Sequence, residues 1–116
     1  MQSISVHAEE SIVLKIGGEY QNVLVNRILY CEAADNYQRL WMKDGGTRLV
    51  RMTASELYGT LEGFDCFHRC GRAYILNLNH VTKVTANSAV LKTGTELPLP
   101  RAAVAPLRTA FFDHFN

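Results

Sequence analysis

The stretch whose reading decides the fold is Tyr37-Gln38-Arg39-Leu40-Trp41-Met42-Lys43, Asp44-Gly45-Gly46, Thr47-Arg48-Leu49-Val50-Arg51-Met52. In its first segment Gln38, Leu40 and Met42 oppose Tyr37, Arg39, Trp41 and Lys43, the period of two that sends alternate side chains to opposite faces of a strand. Asp44-Gly45-Gly46 then supplies a tight reversal, because glycine reaches positive φ without steric cost. The segment after it returns as a second strand, so a hairpin is predicted over residues 37–52.

Strand patterns recur on both sides of this hairpin. Upstream, Ser11 to Ile16 sets Ile12, Leu14 and Ile16 against Ser11, Val13 and Lys15, and Gly17-Gly18 turns the chain toward a short strand carrying Val23 and Val25. Arg27-Ile28-Leu29-Tyr30-Cys31-Glu32-Ala33 reads as a third strand and Ala34-Asp35-Asn36 as the turn after it. Downstream, Val81 to Ala86 and Ala89 to Lys92 flank Asn87-Ser88, and Thr93-Gly94-Thr95 leads into Glu96-Leu97-Pro98-Leu99-Pro100. Around nine short strands are expected in all. Residues 1–10, polar and without period, read as an N-terminal tail or linker remnant, and residues 11–116 as one domain.

Two helices interrupt the strands. Thr53-Ala54-Ser55-Glu56 fits a capping box, in which a hydroxyl and a carboxylate three residues apart each satisfy a free backbone N–H. Leu57 and Leu61 then share a face, so a helix is predicted near 54–62 with Gly63 at its end. Val104, Leu107, Phe111 and Phe115 recur at helical spacing, giving a second helix near 103–115 that Pro106 either starts or kinks. The fold class is mostly β, made of antiparallel hairpins.

Composition excludes several classes. With 116 residues, 47% apolar and 20% charged, the chain has the makeup of an ordinary folded domain rather than a disordered one. Residues 1–66 hold six Lys/Arg against nine Asp/Glu, whereas residues 67–116 hold six against two, so the second half is basic. That asymmetry is consistent with a nucleic-acid partner. Three cysteines without a signal peptide argue for reduced thiols in a cytosolic protein, and no apolar run approaches the length of a membrane span.

The chemistry concentrates in Phe64-Asp65-Cys66-Phe67-His68-Arg69-Cys70-Gly71-Arg72-Ala73-Tyr74-Ile75-Leu76-Asn77. Here His68, Arg69 and Arg72 stand among residues that read as two apolar strands around a loop. Cys66, His68 and Cys70 would share one face of a continuous strand, but paired Cys-x2-Cys spacing and a fourth ligand are lacking, so no metal is expected. No phosphate loop, RNP-like aromatic motif or nucleophile elbow is present, and no cofactor or enzymatic activity is expected. Glu32, Asp35 and His68 could be imagined as acid and base, without a nucleophile to serve.

Taken in order, the core of Ile28-Leu29-Tyr30-x-Glu32-Ala33, the Tyr37 strand, the short helix ending in Leu61, Phe67-x-Arg69-Cys70-x-Arg72-x-Tyr74-Ile75-Leu76-Asn77 and Leu97-Pro98-Leu99-x-Arg101 resemble the LytTR family of bacterial DNA-binding domains. The resemblance covers about residues 11–110. It implies an elongated arrangement of small β-sheets that reads duplex DNA through loops and strand ends in successive major grooves. It also implies a promoter with direct repeats, a homodimer on DNA, and a receiver domain in the full-length protein of a two-component system. Carried over by position, Gln38, Arg72 and Arg101 are the base-contact candidates. Arginine matches guanine O6 and N7, and glutamine matches adenine N6 and N7. Asn36, Arg39, Arg69 and Lys83 are the phosphate-contact candidates. Gly71 departs from the family, many of whose members carry His before the loop arginine. The alternative is a β-rich module binding protein or single-stranded nucleic acid through strand edges and aromatics, with Trp41 as its discriminator.

Overall fold

A computed structural model of the protein describes residues 10–116. The tail expected over residues 1–10 lies, apart from Glu10, outside the described residues. Seven strands form one antiparallel sheet in the order β2-β1-β5-β4-β3-β7-β6, and three more form a second sheet in the order β10-β9-β8. They are β1 (Ser11–Ile16), β2 (Glu19–Leu24), β3 (Ile28–Ala34), β4 (Tyr37–Met42), β5 (Thr47–Val50), β6 (Phe67–Cys70), β7 (Tyr74–Asn77), β8 (Val81–Val84), β9 (Ser88–Leu91) and β10 (Glu96–Pro98). The helices are α1 (Ala54–Leu61) and α2 (Arg101–Phe115). The mostly β, hairpin-built architecture with two helices is as expected.

The hairpin of residues 37–52 becomes β4 and β5, paired from Gln38↔Val50 to Trp41↔Thr47. Its neighbour β3 is apolar for most of its length because it is central in the sheet and covered on both faces. Register makes this explicit. Cys31 pairs with Ile75 in the core on the α1 side of the sheet, while Tyr30 pairs with Leu76 in a second core on the opposite side. The first core packs Leu40, Val50 and Phe67 against Leu57 and Leu61 of α1. The second joins the sheet to the three-stranded sheet and α2 through Leu78, Val81, Leu91, Val104 and Leu107. Each element thus buries one apolar face, and the large sheet buries both.

The predicted capping box forms. Thr53 Oγ1 accepts from Glu56 N at 3.0 Å, and Glu56 Oε1 accepts from Thr53 N at 2.8 Å. Two short 3-10 turns, Val25–Arg27 and Leu78–His80, were not anticipated. Val25, expected in a strand, is buried in the first of them. Buried polar side chains stitch these turns together: Asn77 Nδ2 donates to Ile28 O at 2.9 Å, and His80 Nε2 donates to Asn26 O at 2.8 Å. Pro106 neither starts α2 nor ends it, since the helix begins at Arg101 and runs through the proline.

Candidate nucleic-acid interface

Three segments far apart in sequence meet at one end of the large sheet. The turn between β3 and β4, the turn between β6 and β7, and the junction from β5 into α1 surround an open groove of about 620 Å3. The first two turns lie side by side because Ala33 N donates to Ala73 O at 3.0 Å, continuing the β3–β7 ladder past its last register pair. Both turns use left-handed backbone, with φ of 55° at Asp35 and 60° at Gly71. Nothing lies within 4 Å of a Cβ added at Gly71, so there is space for a side chain. The cost of one there is conformational, and His is among the residues that best tolerate this region.

Asn36, Gln38, Arg51, Ser55, Arg69 and Arg72 line the groove, and Asp35 and Glu56 supply its two carboxylates. Three guanidinium groups against two carboxylates leave the wall net positive. Glu56 is committed to the capping box, and its hydrogen bonds with Thr53 hold its carboxyl below the usual range. The first turn of α1 also faces the groove and adds the partial positive charge of a helix N-terminus. Arg69 is preorganised, donating from Nη1 to Ser55 Oγ at 3.0 Å and from Nε to Gly71 O at 3.2 Å.

Gln38 is the base-contact candidate whose setting differs most from the sequence reading. It is only 3% exposed, between Ala33 and Val50 in the register, and among the described residues its side-chain amide has no hydrogen-bond partner. The cause is the pleat: even-numbered residues of β4 point toward α1, so Gln38 falls in line with Leu40 and Met42. It forms the floor of the groove rather than a surface side chain.

The structure gathers Asn36, Gln38, Arg69 and Arg72, and it separates the remaining candidates from them. Arg39 points to the opposite face, where its Nη1 lies 3.9 Å from Glu32 Oε1. Lys83 is exposed on β8, and Arg101 is exposed as the first residue of α2; neither lines the groove. Trp41 is half-buried on the same face as Arg39, stacked on Tyr30 with ring centroids 5.8 Å apart, and its Nε1 donates to Glu32 Oε1 at 3.1 Å.

The expectation that Cys66, His68 and Cys70 share a face is corrected. The strand starts only at Phe67, leaving Cys66 in the α1-side core and Cys70 in the other. Burial pushes the Cys70 and Cys31 thiols up to about 12 and depresses His68. Among the described residues no group of three or more His, Cys, Asp or Glu is placed to hold a metal ion. Also among them, no helix is long and apolar enough to cross a membrane.

Two groove residues, Arg51 and Ser55, were missed by sequence reasoning. The signal was available, since both flank Thr53, and the start of a capped helix is a natural anion site.

Against known proteins, a family model describing the LytTr DNA-binding domain matches residues 18–112. Among solved structures, one named as the LytTr DNA-binding domain of a response regulator from Bacillus cereus aligns with a TM-score of 0.68. It is 21% identical, and the alignment covers 86% of this chain and 94% of that one. No curated protein matches the chain.

Proposed function

This chain belongs to the LytTr DNA-binding domain family, and we propose that it binds double-stranded DNA sequence-specifically, as the output module of a bacterial transcription regulator in a cytoplasmic two-component system. The observation that carries this reading is the groove itself, lined by Arg51, Arg69 and Arg72 together with Gln38, whose buried amide has no hydrogen-bond partner among the described residues. A buried amide without a partner costs roughly 1–3 kcal/mol. A base edge entering the groove would supply the missing hydrogen bonds.

In this reading Arg72, exposed at the tip of its turn, is the leading base reader, through the bidentate geometry that arginine offers guanine. Gln38 contacts a base only after the groove opens to admit it. Arg101 reads a second position from the start of α2, outside the groove, which suits a protein that touches successive grooves of a duplex. Arg69 and Asn36 hold phosphates beside Arg72, while Lys83 and Arg39 would contact the backbone from outside the groove. The target is a promoter with direct repeats occupied by two copies, and a receiver domain belongs to the full-length regulator.

Selection of bound duplexes from a random pool, followed by a salt titration of the winning sequence, tests this. A defined motif with a steep fall of affinity in salt is expected. Preference for single strands over any duplex would overturn the reading in favour of a single-strand binder. Trp41 argues against that alternative, because its indole is stacked on Tyr30 and bonded to Glu32 rather than free to stack on a base.

A further inference from the structure

A second cavity, of about 560 Å3, opens where β1 and β5 part. These strands share the single register pair Ile16↔Val50, although β1 pairs with β2 at all six of its positions. The volume lies within the ~300–1,000 Å3 range of small-molecule sites.

Its lining is unusual for this molecule in two respects. Of the six large apolar side chains that stand exposed among the described residues, three line this one cavity: Val13 at 62%, Leu49 at 44% and Tyr37 at 41%. Its charged groups are Lys15 and Arg51, no carboxylate lines it, and neither cation has a salt bridge among the described residues. Apolar surface beside two unmatched cations is complementary to one kind of ligand.

We propose that this cavity binds a small organic anion with an apolar body, such as an aryl carboxylate. Lys15 and Arg51 hold its carboxylate, and Val13, Leu49 and Tyr37 receive its body. Ligand charge meets Arg51 and Lys15, neither of which has a carboxylate partner among the described residues, although the Lys15 ammonium lies 5.8 Å from the centre of the Tyr20 ring, and the apolar body covers surface that is otherwise exposed. Arg51 and Met52 also line the candidate DNA groove, so the bound anion sits one side chain away from it. Lys15 and Val13 do not line the groove, which makes loss of this ligand separable from loss of duplex binding.

The test is titration of the full chain, 15N-labelled, with 2-naphthoate, using 2-naphthamide as its neutral counterpart and amide shifts as the readout. Saturable shifts confined to the neighbourhood of Val13, Gly17, Leu49 and Arg51 are expected, with the amide binding more weakly. Lys15→Gln should lower naphthoate affinity about two- to fivefold, the range that a surface ion pair supplies, and leave naphthamide and duplex binding unchanged. Val13→Glu should abolish naphthoate binding while the spectrum keeps its folded dispersion. Shifts scattered over the whole surface, equal affinity for the two probes, or indifference to Lys15→Gln would each overturn the proposal.

Discussion

Arg69 on β6 donates from Nη1 to Ser55 Oγ in the first turn of α1 at 3.0 Å, joining side chains fourteen residues apart. This bond fixes a long cation at the groove wall before any ligand arrives, which reduces the entropy lost on binding. Arg69→Ala should weaken duplex binding and reduce the salt slope by about 1, as expected for one lost phosphate contact. Ser55→Ala keeps the charge, so its slope should match that of the unmodified chain, and its stability loss should stay within about 1.5 kcal/mol. Affinity measured from low to moderate salt decides this; an unchanged slope in Arg69→Ala would remove Arg69 from the interface.

Gln38 offers a sharper separation of stability from function. Its side chain is buried without a hydrogen-bond partner among the described residues, so Gln38→Met, of similar length and shape, should unfold about 1 kcal/mol less readily. The same change should weaken binding to the selected sequence. Denaturant melts and duplex titrations of one variant read both effects, and a loss of stability together with unaltered affinity would mean that the amide has a structural role instead.

Arg72 and Arg101 are expected to act on binding alike and on stability differently. Replacement of either by Ala should cost about 1–3 kcal/mol of affinity for the specific duplex and relax preference at one position. Arg101 opens α2, where no acidic residue occupies the first turn, and a cation at a helix N-terminus opposes the macrodipole. Arg101→Ala should therefore leave thermal stability unchanged or slightly raised. A clear fall in melting temperature would assign Arg101 a packing role.

Glu56 makes α1 sensitive to acid. Its carboxyl is held below the usual range by its hydrogen bonds with Thr53, so its contribution is fully present at neutral pH, above the unfolded value of about 4.3. That contribution is lost as pH falls through the depressed folded value. Glu56→Gln should thus flatten part of the stability decline below about pH 4.3, and Thr53→Ala should cost about 1 kcal/mol at neutral pH. Melting curves from pH 3 to 7 would show parallel declines in both chains if the capping carboxylate were not responsible.

How much of this was legible beforehand can be traced to particular residues. The β4–β5 hairpin, the capping box at Thr53 and the leucine pair of α1 are local: alternation, a glycine turn and a hydroxyl–carboxylate spacing each act within a few residues. The order Phe67 to Asn77 followed by Leu97 to Arg101 was equally readable as a family pattern. Strand boundaries near Val25 were not, because a buried valine suits a 3-10 turn as well as a strand, and the bond from His80 to Asn26 that stabilises that turn spans 54 residues.

By itself, then, the sequence determined the class of fold, the two helices and the family, since these rest on short-range periodicity and on residue identity in order. Only the tertiary structure decided which residues form the groove. Strand order brings β3 between β4 and β7, which sets the Asn36 and Arg72 turns side by side and seats the start of α1 against them. It also decided that Gln38 is floor and not surface. A pleat tells which residues share a face, but which face is covered depends on how a helix many residues away packs on the sheet.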